Sequence, residues 1–102
     1  MGYHVTHVMG DMEGDPPIAR LGELLDELSN TDEEHGSISV THETEWCLSV
    51  WRSGHIVIEN LEAGEPLHAG PIDRSGLLRL MAAVADGRLD EVREIEWKPG
   101  YL

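Results

Sequence analysis

Apolar positions recur along this chain with two different periods. Tyr3 to Met9 is short, β-branched and aromatic, and reads as a strand. Gly10 to Gly14 interrupts it and predicts a loop. Beyond Asp15-Pro16-Pro17, residues Ile18, Leu21, Leu24, Leu25 and Leu28 fall at helical spacing, with Arg20, Glu23, Asp26 and Glu27 on the other side. Asp15 is placed to cap that helix and Pro16 to occupy its first turn, where a missing N–H costs nothing. Ser29-Asn30 ends it, and Asp32-Glu33-Glu34 reads as solvated loop.

The period then changes to two. Ser37 to His42 alternates, with Ile38 and Val40 on one face. Glu45 to Trp51 alternates again, setting Trp46, Leu48 and Val50 against Cys47, Ser49 and Trp51. Ser53-Gly54 is a tight turn, and Ile56 to Asn60 returns as a third strand of an antiparallel run. Leu61 to Gly64 turns once more, and Pro66 to Ala69 suits a short edge strand. Asp73 caps a second helix with Leu77, Leu78, Leu80, Met81 and Val84 buried, and Gly87 fits its left-handed stop. Leu89 to Ile95 allows one further turn. Trp97 to Tyr101 is not helical and is expected to pack back through its aromatics.

These elements predict a single α+β domain over residues 1–102. One antiparallel sheet of four to five strands carries two helices on one face, in the order β-α-β-β-β-(β)-α. Trp46 is expected in the core. The other face is left with Cys47, Ser49, Trp51, Val57 and the outward histidines.

Charge changes this picture more than composition does. Twenty Asp and Glu oppose seven Lys and Arg, a formal net charge of −13 in 102 residues. A nucleic-acid ligand, which needs a basic footprint, is therefore not expected. A basic protein partner is. A single cysteine, Cys47, leaves no internal disulfide framework or four-cysteine zinc site and suits a reducing compartment. The chain opens on no charged-then-apolar leader and holds no apolar run near the ~20 residues of a membrane span. A cytoplasmic protein without a membrane partner is expected.

Candidate chemistry is sparse. His4 and His7 point to opposite faces of a strand and cannot share an ion. His42 and His55 lie on neighbouring segments, and with Glu43, Glu45 or Glu59 could form a mixed nitrogen and oxygen site. That pair carries the alternative reading of a small metal-binding or hydrolytic enzyme. No ligand spacing supports it, so neither metal nor cofactor is expected. Cys47 sits within a strand, away from any helix start that would lower its pKa, and reads as a small hydrophobe. Asp11, Glu13 and Asp15 precede the first helix and are expected to support its positive end. Gly10, Gly14 and Gly22 lack the Lys-Ser/Thr of a phosphate cradle. Trp51, Trp97 and Tyr101, with Glu43 and Glu45, are the partner-binding candidates, since aromatics beside charge anchor interfaces. A homodimer through Trp51 and the Val57 face is the second partner reading.

The run Val40-Thr41-His42-Glu43-Thr44-Glu45-Trp46-Cys47-Leu48, the helix Asp73 to Gly87 and the ending Trp97-Lys98-Pro99-Gly100-Tyr101 resemble a family of small acidic actinobacterial proteins. No catalytic residues are defined for that family, so the resemblance transfers none. The layout is also similar to one group of polymorphic-toxin immunity proteins, short acidic α+β chains with a central antiparallel sheet and a late aromatic segment like Ile95-Glu96-Trp97. That likeness implies a non-enzymatic inhibitor of a basic partner. It departs at the Pro-Gly-Tyr tail and at the glycine-rich loop after the first strand.

Overall fold

A computed structural model describes residues 2–30, 36–62 and 64–100. Among the described residues, seven strands form one antiparallel sheet: β1 (Tyr3–Thr6), β2 (Met12–Gly14), β3 (Ser37–His42), β4 (Trp46–Trp51), β5 (Ile56–Asn60), β6 (Leu67–Ala69) and β7 (Lys98–Pro99). Their spatial order is β2-β1-β3-β4-β5-β6-β7. Three helices accompany them: α1 (Arg20–Asn30), α2 (Arg74–Ala85) and α3 (Leu89–Val92).

The α+β class and the antiparallel sheet agree with the sequence pattern. The counts do not, because two strands form where local propensity is absent. Met12-Glu13-Gly14 was expected as loop, yet it folds back on β1 with Val5 opposite Glu13. Lys98-Pro99 pairs with β6, which makes β6 an interior strand and not the expected edge. The third helix is the extra turn anticipated after Gly87.

Asp15 also departs from expectation. Helix α1 begins at Arg20, four residues later than a cap at Asp15 implies. Asp15 instead takes a positive φ of 47°, a conformation Asp tolerates better than most residues. Its carboxylate accepts the Tyr3 N–H at 3.0 Å. Helix α2 follows the sequence closely. Asp73 caps it by accepting the Gly76 N–H, and Gly87, at φ 72°, ends it. A side chain at Gly87 would also meet the His42 ring at 3.0 Å.

Register assigns the two faces, since residues directly opposite in a ladder share a face. Val5, Val40, Leu48 and Ile58 form one inner row, and Ile38, Val50, Ile56 and Ala69 form another. Leu21, Leu24, Leu25 and Leu28 of α1, with Leu77, Leu80, Met81 and Val84 of α2 and Val92 of α3, join them in one core. All three helices thus lie on one face. Trp46 stands on that face, half-buried against the core. The outer face carries Cys47, Ser49, Trp51 and Val57, as expected. Val57 is nonetheless fully buried there, between Ser49 and His68 on the adjacent strands.

The groove between the first hairpin and helix α1 as a candidate functional site

Val5 faces the core, so two residues on His7 points to the same side and meets α1. There its ring lies between two carboxylates. Nδ1 is 2.7 Å from Glu27 Oε2, and Nε2 is 2.9 Å from Glu13 Oε1. Arg20 Nε donates to that same Glu13 oxygen at 3.1 Å, and its guanidinium also bonds Glu23. The His7 side chain is only 13% exposed.

Carboxylates accept hydrogen bonds and do not donate them. Two acceptors on one imidazole therefore call for two ring N–H groups, and His7 is held as imidazolium. The hydrogen bond to Glu27 raises its pKa above the ordinary imidazole value, against the cost of burial, and Glu13 adds to the effect. Glu13 shifts the other way, held below the usual carboxylate range by His7 first and Arg20 second.

This cluster fastens three elements together: His7 follows β1, Glu13 belongs to β2 and Glu27 to α1. Both ring nitrogens are occupied, so neither is free to act on a substrate as a general base. The two carboxylates meet opposite nitrogens of the ring and do not converge on one point with it. The groove beside the cluster measures about 420 Å³ and is lined by His7, Met9, Asp11, Met12, Glu13, Arg20 and Glu27.

The residues singled out by sequence are dispersed. His42 stands on the core face, opposite Tyr3, and is buried. Its Nδ1 lies 2.8 Å from Thr44 Oγ1. His55 follows the turn at the far end of β4, with Nδ1 2.8 Å from Ser53 Oγ. The six residues of β4 separate these histidines by roughly 15–20 Å at strand rise, so no ion could join them. Among the described residues, no three of His, Cys, Asp or Glu gather in a metal-holding group. Cys47 is buried and free.

Glu43 is exposed and accepts the Gly2 N–H at 3.0 Å, while Glu45 holds the β3–β4 turn at φ 74°. Trp51 is half-buried on the outer face. Trp97 lies on the other side, where its indole N–H donates to Val92 O at 2.8 Å and its ring shares an apolar pocket with Trp46. Trp51 and Trp97 therefore do not form one anchor. Tyr101 and the Asp32–Glu34 loop lie outside the described residues.

Comparison with protein-family models, with curated proteins and with solved structures finds no match to this chain.

Strand alternation separates His4 from His7 but carries no sign of what His7 meets. Glu13 was assigned to the helix start, whereas it bonds His7 and Arg20 from within a strand. Glu27 was one polar position on a helix, twenty residues from its partner. The available signal was the one-turn spacing of Glu23 and Glu27 on α1 beside a strand ending in histidine.

Proposed function

We propose that this chain is a non-enzymatic binding protein of the cytoplasm that docks a basic protein through its anionic exterior, in the manner of an immunity-type inhibitor. The observation that supports this reading is the uneven placement of its few cations. Arg20, Arg74, Arg79, Arg88 and Arg93 all lie against carboxylates of the helical layer. Asp11, in the first hairpin, and Glu43, Glu45, Glu62 and Glu65, in the turns at one end of the sheet, make no ion pair with Lys or Arg among the described residues. Unbalanced carboxylates on neighbouring turns project a negative potential that steers cationic partners and speeds encounter.

Two further features favour binding over catalysis. The ring nitrogens of His7 are both occupied, and one nitrogen each of His42, His55 and His68 is engaged within the protein. Cys47 is buried inside β4, where a thiol packs as a small hydrophobe. No helix of the described residues is long and apolar enough to cross a membrane.

Affinity capture from the native cell at low ionic strength tests the proposal. A basic protein should be retained and should elute as salt rises, because screening shortens the reach of surface charge. Retention of proteins no more basic than those held by a neutral control protein, or retention indifferent to salt, would contradict it.

A further inference from the structure

The sheet has two edges, and the hydrogen bonds of the outermost strands show which backbone groups each leaves open. His7 N–H donates to Asp11 O at 2.7 Å, and Asp15 N–H donates to Tyr3 O at 2.8 Å. In an antiparallel ladder, hydrogen-bonded pairs alternate with non-bonded ones. Residues 11, 13 and 15 therefore turn their N–H and C=O toward β1. Met12 and Gly14 turn theirs outward, where no strand among the described residues pairs with β2.

The side chains along this edge alternate too. Asp11 and Glu13 face the helix side, with Glu27 and Glu23 beside them on α1. Met12 faces the outer side. It is 66% exposed and Met9 is 81% exposed, the highest values among the exposed large hydrophobic residues. Thioether side chains adapt to varied apolar partners. Exposed edges recruit extended segments by backbone pairing, with side-chain pockets supplying selectivity.

We propose that β2 is a docking edge for an extended basic segment of a partner protein, in which Lys or Arg alternates with apolar residues. The segment adds an eighth strand beside Met12 and Gly14. Its basic side chains fall on the helix side, over the groove of Asp11, Glu13 and Glu27, where the carboxylates with Glu23 outnumber the two cations Arg20 and His7. Its apolar side chains fall on the outer side, against Met12, while exposed Met9 stands at the rim of the groove. This inference rests on the reading of the protein as a binder of basic partners and adds the surface and the form of the ligand.

The probe is a capped octapeptide alternating Lys and Val, compared by titration calorimetry with a block peptide of the same composition. The alternating peptide should bind more tightly. Met12→Pro removes an outward N–H without touching the β1 ladder, and should weaken the alternating peptide about tenfold or more while leaving the block peptide unchanged. The paired change Met9→Ser with Met12→Ser, at exposed positions, should weaken it as well and serves if the proline variant does not fold. If both peptides bind equally and neither variant matters, the docking edge is wrong and the basic-partner reading stands. If neither peptide binds, both fall.

Discussion

The two edges of this sheet meet the same physical problem in opposite ways. At β7 the Gly100 N–H donates to Pro66 O at 2.8 Å, so the neighbouring Pro99 turns its nitrogen outward. That nitrogen has no hydrogen, and the open side of β7 offers little to a passing strand. Lys98 beside it adds the charge that commonly guards an edge. Pro66 cannot donate to Gly100 O, and His68 Nδ1 does so instead at 3.0 Å. At β2 the corresponding outward positions are Met12 and Gly14, each with an intact N–H. No proline or lysine stands there, and exposed methionines flank it. One edge is closed by its chemistry and the other is left open beside carboxylates. An edge that avoids aggregation by design and one that invites pairing can thus coexist in a single small sheet.

The elements behind the two edges are fastened differently, and the largest expected effect lies at the closed one. Trp97 carries the chain into β7 while its indole, with Trp46, Leu67 and Val92, lines an apolar pocket of about 90 Å³. Trp97→Ala should cost about 2–3 kcal/mol, below the 3–5 of a fully buried tryptophan because the ring is half-buried. Urea denaturation measures it, and amides of β6 should exchange faster while those of β1 do not.

Behind the open edge, His7→Ala should cost about 1–2 kcal/mol, since it leaves Glu13 and Glu27 facing each other without the cation between them. Here hydrogen exchange should accelerate in β1 and β2 and leave β6 unchanged. A loss spread evenly over both edges would mean that the cluster does not act as a local fastener.

The same cluster sets a pH window. His7 has a raised folded-state pKa, so its contribution is complete below its unfolded value of about 6.5 and is lost as pH rises through the folded pKa. Glu13 has a lowered one, so its contribution is present above about 4.3 and is lost as pH falls. The stability difference between wild type and His7→Ala should therefore be greatest between those values and shrink toward alkaline pH. Denaturation curves of both proteins across the range read it directly.

The smallest expected change in stability is at the edges themselves. Met12→Pro should stay within about 0.5 kcal/mol, because the lost N–H faces water. Its effect is expected on binding, and a large loss of stability would show that Met12 N–H has an inward partner.

How much of this was legible depended on where the information lay. The meander β3–β5 and helix α2 carry their own signals: strict alternation in Trp46-Cys47-Leu48-Ser49-Val50-Trp51, and an aspartate three residues before the N–H it caps. Strand β2 carries none, since Met-Glu-Gly has no strand preference and is extended only because β1 pairs with it. Strand β7 contains proline, which argues against a strand except at an edge. Asp15-Pro16-Pro17 mimics a helix start, but the Tyr3 N–H draws the Asp15 carboxylate elsewhere. The His7 cluster is invisible along the chain because its members come from three elements. The sequence pattern located the core and its face; edges and charge clusters came from tertiary pairing.

If β2, and not β7, accepts a basic strand, the two edges respond differently to an added peptide. Amide chemical shifts recorded while the alternating Lys-Val peptide is added test it most directly. Saturating shifts centred on Met12 and Gly14 are expected, with the amides of β6 and β7 still. Shifts centred on Lys98 and Gly100, or scattered over the acidic turns at Glu43, Glu45 and Glu62, would contradict it.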